Sequence, residues 1–214
     1  MLTLITVLLL GYLVGSFPTA ILVGKIVRGW DFDIRKEGSG NAGGTNVFRV
    51  LGWKPGLFVM LIDVFKGVAA TQWVSQWQPF GTGYIDATVM PVLTGLAAVC
   101  GHIWTVFANF RGGKGVGTAA GMIIALYPVA AIICLAIFIV VVYFTRYVSL
   151  GSMIAALSLP VVLWMMQVLF NNEVPDALFQ FSILVGVLIV FTHRKNIRRL
   201  IEGTENRFGK PRPA

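Results

Sequence analysis

Charge is scarce in this sequence. Only 12% of the 214 residues are charged, against roughly 25% in a typical soluble domain. Acidic groups number nine, and Asp63 alone among them falls inside a long apolar run. That excludes a metal site built from a cluster of membrane-embedded aspartates. There are two cysteines, Cys100 and Cys134, both within apolar runs and without a zinc-site or redox spacing, so buried structural thiols are expected. The two histidines, His102 and His193, are not followed by an aspartate five residues on: Phe107 and Arg198 stand there. No metal and no cofactor are expected. The first residues lack both a positive flank and a small-residue cleavage site, so a retained first span is expected rather than a leader.

What is abundant is apolar: 57% of residues, with several runs near the ~20 residues that cross a bilayer. An all-α integral membrane protein is the fold class expected, a single membrane domain over 1–214. The net charge of +8 then points to anionic headgroups, a cytoplasmic charge bias or acidic substrates, not to nucleic acid. Apolar spans are expected at 2–23, 56–74, 88–106, 116–127, 129–144, 150–170 and 178–192, with cytoplasmic segments at 24–55, 107–115 and 193–214.

The fourth apolar run, 116–144, is too long for one crossing and too short for two generous ones. Apart from Lys66, which lies inside an apolar run, cations occur at positions 25, 28, 35, 36, 49 and 54, at 111 and 114, at 146, and seven times between Arg194 and Arg212. The connections 75–87 and 171–177 carry only Asp86, Glu173 and Asp176. Under the positive-inside rule every basic segment shares the cytoplasmic side, so the chain between Arg111 and Arg146 crosses an even number of times. Tyr127 and Pro128 mark the break, since proline does not continue a helix. The result is a seven-span helical bundle, N-terminus outside and C-terminus in the cytoplasm, with three polar segments on one face.

The middle segment contains 110–118, FRGGKGVGT. A glycine-rich turn can aim N–H groups into a concavity, and Arg111 and Lys114 add charge there. It is not a nucleotide loop of the Walker A type, which needs glycine at Ala108 and a hydroxyl at Gly115. The equally plain reading is an inter-helix loop with positive-inside charges. The first segment, 38–49, offers Ser39, Asn41, Thr45, Asn46 and Arg49 to an anion. Ser39 is not in a nucleophile elbow, because Glu37 and Asn41 flank it two residues away. In the third segment His193 and Asn196 are three apart and share a helical face, while the neighbouring arginines suit lipid phosphates. Asp63 and Lys66, also three apart, form an intramembrane pair, either functional or a clamp between helices. Ser149, after Arg146, can join the same face.

Taken together, SGNAGGTNVFR at 39–49, GHIWTVFANFRGGKGVGT at 101–118 and HRKNIRRLIEGTE at 193–205 resemble the three motifs of the bacterial acyl-phosphate:glycerol-3-phosphate acyltransferases, the PlsY family. The one departure is Arg111, where the family pattern carries lysine; the charge is kept. The resemblance implies a multi-pass enzyme of the bacterial inner membrane with its active site facing the cytoplasm. It implies transfer of a fatty acyl group from acyl phosphate to the 1-hydroxyl of glycerol 3-phosphate, the first step of phospholipid synthesis. Products are lysophosphatidic acid and inorganic phosphate. Lys114, His193, Asn196 and Ser39 are the expected catalytic residues. Arg49, Asn41, Thr45, Asn46, Gly112, Gly113, Gly115, His102 and Ser149 are the expected substrate contacts. Partners are the two substrates and membrane lipid, and a monomer is expected. A transporter of an organic phosphate is the rival, using the same anion-binding residues; it would place its site near the midplane and show internal repeats.

Overall fold

The structure is a computed structural model that describes residues 1–77, 79–81, 88–170 and 173–209. Asp86, Lys210 and Arg212, which enter the charge count above, lie outside the described residues. Every regular element among the described residues is a helix. Five stretches are long and apolar enough to cross a membrane, or six when one bent helix pair counts as a span. Contacts divide the chain into two compact units, Met1–Leu126 and Tyr127–Ala214.

The first apolar run is two helices, α1 (Leu2–Ser16) and α2 (Thr19–Arg28), rather than one uninterrupted rod. Pro18 explains the interruption. It supplies no N–H and forces Phe17 into an extended conformation, φ −55° and ψ 117°. α2 stops at Gly29, whose φ of +101° is open to glycine at little cost. The polar stretch that follows is not all loop. Ile34–Lys36 makes a short 3-10 turn and α3 runs from Gly44 to Leu51. Its apolar face explains why: Val47 packs with Ala20, Ile21, Val23, Ile34, Ala42, Val59 and Ala108 in one buried cluster.

α4 (Trp53–Gln72), α5 (Val89–Ile103) and α6 (Val116–Leu126) complete the first unit. α1 packs on α5, and α4 packs on α6 and α3. Without a hydrophobic drive between helices in lipid, close backbone approach supplies the packing. Gly15 lies against the backbone of Ala98, and Gly101 against the Tyr12 carbonyl. α6 has only 11 residues, about 16 Å of helix, well short of a bilayer core of about 30 Å.

In the second unit, α7 (Pro128–Thr145) begins on its proline after the break at Tyr127. The left-handed Arg146, φ 64°, closes it. α8 (Val148–Phe170) packs against both α7 and α9 (Asp176–Thr192). α10 (Arg194–Ile201) leaves α9 at 58°. Only Ala130 of α7 is buried. Its outward Ile132, Leu135, Ile139 and Phe144 suit a lipid solvent.

Candidate functional site

In the first unit the segment at 37–49 is organised by one side chain. Asn46, buried, accepts from the Ser39 N–H at 2.8 Å and the Ser39 hydroxyl at 3.0 Å through Oδ1. Its Nδ2 donates to the carbonyls of Ile34 at 3.1 Å and Glu37 at 3.0 Å. An amide has two donor protons and two acceptor lone pairs, so the loop occupies all four. Asn46 therefore shapes the loop, and the half-buried Ser39 commits its hydroxyl proton to Asn46. Gly38 is bound to be glycine: its φ is +58°, and a Cβ would strike Asn46 Oδ1. Asn41 and Thr45 are half-buried, and Arg49 is exposed in the last turn of α3.

Arg35 ties this segment to the glycine loop. Its Nε and Nη2 face Asp33, with Nη2–Oδ2 at 2.9 Å. Its Nη1 donates to the carbonyls of Ala108 at 3.0 Å and Arg111 at 3.4 Å. The side-chain hydrogen bond from Arg35 holds the Asp33 carboxyl below the usual carboxylate range, against the opposing effect of burial, and Arg35 is raised in turn. Arg35 was not among the expected site residues. Its signal was an Asp-x-Arg pair just before the first motif.

The glycine loop is built on the end of α5. Asn109 and Phe110 both take positive φ, 55° and 57°. Gly112 N–H donates to the Ile103 carbonyl and Gly113 N–H to the His102 carbonyl, both at 3.0 Å. This corrects the expectation that these two N–H groups line an anion concavity: they complete the helix end, whose last carbonyls need partners. The two glycines are there for closeness. A Cβ on Gly112 would meet the His102 carbonyl, and one on Gly113 would meet the His102 ring. Gly115 has φ +85° and its carbonyl accepts from Ala119 N–H at 2.8 Å, opening α6. Lys114, half-buried, stands between these anchored glycines.

Behind the loop, a cleft is lined by Phe17, Pro18, Ala42, Lys66, His102 and Gly113. Asp63, Lys66 and His102 are buried there. Lys66 Nζ lies 2.7 Å from Asp63 Oδ1, 3.0 Å from the Phe17 carbonyl and 3.3 Å from His102 Nδ1. At the helix break the Phe17 carbonyl thus accepts from the Lys66 ammonium as well as from the Thr19 N–H, while the Thr105 hydroxyl donates to the Ser16 carbonyl.

In the second unit, Glu205 is the centre. Its Oε1 accepts from Asn196 Nδ2 at 2.6 Å and from the Ser149 hydroxyl at 2.8 Å, and Oε2 accepts from Arg199 Nε at 2.7 Å. Burial raises the Glu205 carboxyl. The hydrogen bonds from Arg199, Asn196 and Ser149 outweigh that and hold it below the usual range. Glu205 was missed from the sequence, although it closes the third motif. Nothing in spacing says that a carboxylate nine residues past Asn196 will return to it. His193, also buried, sits at the start of α10. Its Nδ1 lies 2.7 Å from the Ile189 carbonyl, which can only accept, so a ring proton is assigned to Nδ1. Among the described residues no group of three or more His, Cys, Asp or Glu side chains is placed to hold a metal ion.

Ser39, Asn41, Thr45, Asn46, Arg49, His102, Gly112, Gly113, Lys114 and Gly115 thus belong to the first unit, and Ser149, His193 and Asn196 to the second. The first unit presents cations, amides and hydroxyls, and the second an imidazole, an amide and a hydroxyl. The chain matches the family model described as glycerol-3-phosphate acyltransferase over residues 5–203. It is 46% identical over 98% of its length to the glycerol-3-phosphate acyltransferase of Chlorobium limicola, covering 99% of that protein. It is 43% identical to that of Chlorobaculum tepidum, over 98% of this chain and 99% of the relative. Its fold is similar to two crystal structures of PlsY, an integral membrane glycerol 3-phosphate acyltransferase. The glycerol 3-phosphate form has a TM-score of 0.80 at 34% identity, covering 96% of each chain. The lysophosphatidic acid form has a TM-score of 0.75 at 33% identity, covering 96% of this chain and 95% of the other. The chain is an all-helical membrane protein of the glycerol-3-phosphate acyltransferase family.

Proposed function

We propose that this chain transfers a fatty acyl group from acyl phosphate to the 1-hydroxyl of glycerol 3-phosphate, releasing inorganic phosphate and lysophosphatidic acid as the first step of phospholipid synthesis. The observation that carries this reading is likeness along nearly the whole chain to PlsY, solved in glycerol 3-phosphate and lysophosphatidic acid forms. The acceptor oxygen attacks the acyl carbonyl, the carbon–oxygen bond to phosphate breaks, and the hydroxyl proton leaves with the phosphate. Acyl phosphate is already activated, so catalysis needs positioning and oxyanion stabilisation more than a strong base.

Lys114 and Arg49 hold phosphate, or in the case of Lys114 the developing oxyanion. Asn41, Thr45, Gly115 and the hydroxyl oxygen of Ser39 contact the substrates. Asn46, Gly112 and Gly113 act by shaping their loops. His193 orients the acceptor, with Asn196 beside it and Ser149 held by the same carboxylate. Support for an orienting His193 comes from its Nδ1 partner, the Ile189 carbonyl. A neutral carbonyl stabilises an imidazolium less than the carboxylate of a catalytic triad does. A phosphate oxygen of the donor is then the proton acceptor.

The proposed topology is seven crossings of the bacterial inner membrane, N-terminus outside, with the three motif segments facing the cytoplasm and a single chain as the active form. The paired breaks at Tyr127 and Arg146 around α7 support the extra crossing; α6 must sit where the bilayer is thinned or filled by protein. The deciding experiment supplies purified protein with glycerol 3-phosphate and, separately, acyl phosphate, acyl-CoA and acyl carrier protein. Lysophosphatidic acid from acyl phosphate alone is expected. Product from acyl-CoA alone overturns the donor, and no product from any donor restores the transporter.

A further inference from the structure

We infer that Asp63, Lys66 and His102 form a positioning triad that sets the glycine loop for acyl transfer, an inference that rests on the functional reading above. The Lys66 ammonium pairs with Asp63 Oδ1 at 2.7 Å and lies within hydrogen-bond distance of the Phe17 carbonyl and His102 Nδ1, while His102 Nδ1 is also 3.6 Å from Asp63 Oδ1. One charge thereby joins the break between α1 and α2, the middle of α4 and the end of α5. With Nδ1 accepting from Lys66, the imidazole proton is on Nε2. That edge of the ring faces Gly113, where a Cβ would collide with Nε2. The His102 carbonyl meanwhile accepts from Gly113 N–H at 3.0 Å. Residue 102 thus holds Gly113 at two points, by its carbonyl and by its ring, and the next residue is Lys114.

Stability alone does not account for the triad. Burying an ion pair costs desolvation that its attraction barely repays, and apolar replacements are often neutral or stabilising. A charge pair held within an apolar bundle fixes a geometry that packing leaves loose. Lys66 cannot shift without losing the Phe17 carbonyl, and His102 cannot rotate without losing Lys66. In this inference the three act through the loop, as positioning residues.

The test uses the full chain purified in detergent, as wild type, as the Asp63→Asn/Lys66→Met double variant, and as His102→Asn. The double variant removes both charges together and leaves no unpaired one. In His102→Asn, Oδ1 takes the place of Nδ1 and still accepts from Lys66, while the ring against Gly113 is gone. Three quantities are read: thermal midpoint, kcat/KM from acyl phosphate to glycerol 3-phosphate, and hydrogen exchange at the Gly112 and Gly113 amides. Both variants are expected to fold, to exchange faster at those amides, and to lose about a hundredfold in kcat/KM, as a misplacement of about 1 Å does. Unchanged exchange in a folded variant overturns the inference whatever the rate, and so does a wild-type kcat/KM. If the double variant does not fold, His102→Asn carries the decision. A wild type that transfers nothing from acyl phosphate overturns the functional reading instead, and the exchange measurement still decides the triad.

Discussion

The side-chain amide of Asn196 and the hydroxyl of Ser149 donate to the same oxygen of Glu205, at 2.6 and 2.8 Å. One carboxylate, held from its other side by Arg199 at 2.7 Å, fixes two of the expected site residues. Glu205→Ala leaves three buried or half-buried donors without their acceptor. A loss of about 3 kcal/mol is expected, the usual cost of breaking one side of a buried charged network. Thermal unfolding in detergent measures it, and a shift within error would show the network to be dispensable.

The same carboxylate predicts a pH dependence. Its folded pKa is lowered relative to the unfolded chain. The stability it contributes is therefore fully present above the unfolded carboxylate value of about 4.3 and is lost as pH falls through the lower folded value. The wild-type thermal midpoint should drop on acidification through this range more steeply than that of Glu205→Gln. Parallel curves would remove Glu205 from the account.

Lys114→Ala and Arg49→Ala are each expected to abolish acyl transfer, a fall of at least about a hundredfold, without unfolding the protein. Activity per folded molecule after size exclusion is the measurement. Retained activity in Lys114→Ala would end its anion-holding role. Chelators should change nothing, and inhibition by EDTA would call for a metal that the described residues do not suggest.

Arg35 joins two motifs through carbonyls of Ala108 and Arg111. Lysine keeps the charge but lacks the fork that faces Asp33 and the loop at once. Arg35→Lys should therefore lower kcat/KM by about tenfold, since loop placement worth one such bond is about 1.4 kcal/mol. Equal rates for Arg35→Lys and wild type would show that the two loops hold their register unaided.

Gly15 in α1 lies against the backbone of Ala98 in α5. Gly15→Ala should push these helices apart and cost about 2 kcal/mol, read as a lower thermal midpoint. Restoration by a compensating change at Ala98 is not expected, because the collision is with backbone.

Much of this was legible in the sequence because it depends on local physics. Apolar run length and the poverty of charge give membrane helices wherever the chain lies. Pro128 and Pro18 interrupt helices by geometry alone, though only the first was anticipated; Pro18 was concealed by apolar residues on both sides. The motif residues Ser39, Lys114 and His193 stood out because polar groups are costly in such a chain and so mark purpose. Tertiary structure decided what those residues touch. The glycines at 112 and 113 read equally as a phosphate cradle or as close packing, and only the approach of the α5 carbonyls shows that their N–H groups are taken. Asn46 reads as a ligand until four partners surround it. The joining of Glu205 to Asn196 and Ser149, of Arg35 to the glycine loop, and of Lys66 to His102 are contacts between residues remote in the chain or without a helical spacing. Periodicity carries no information about those; folding does.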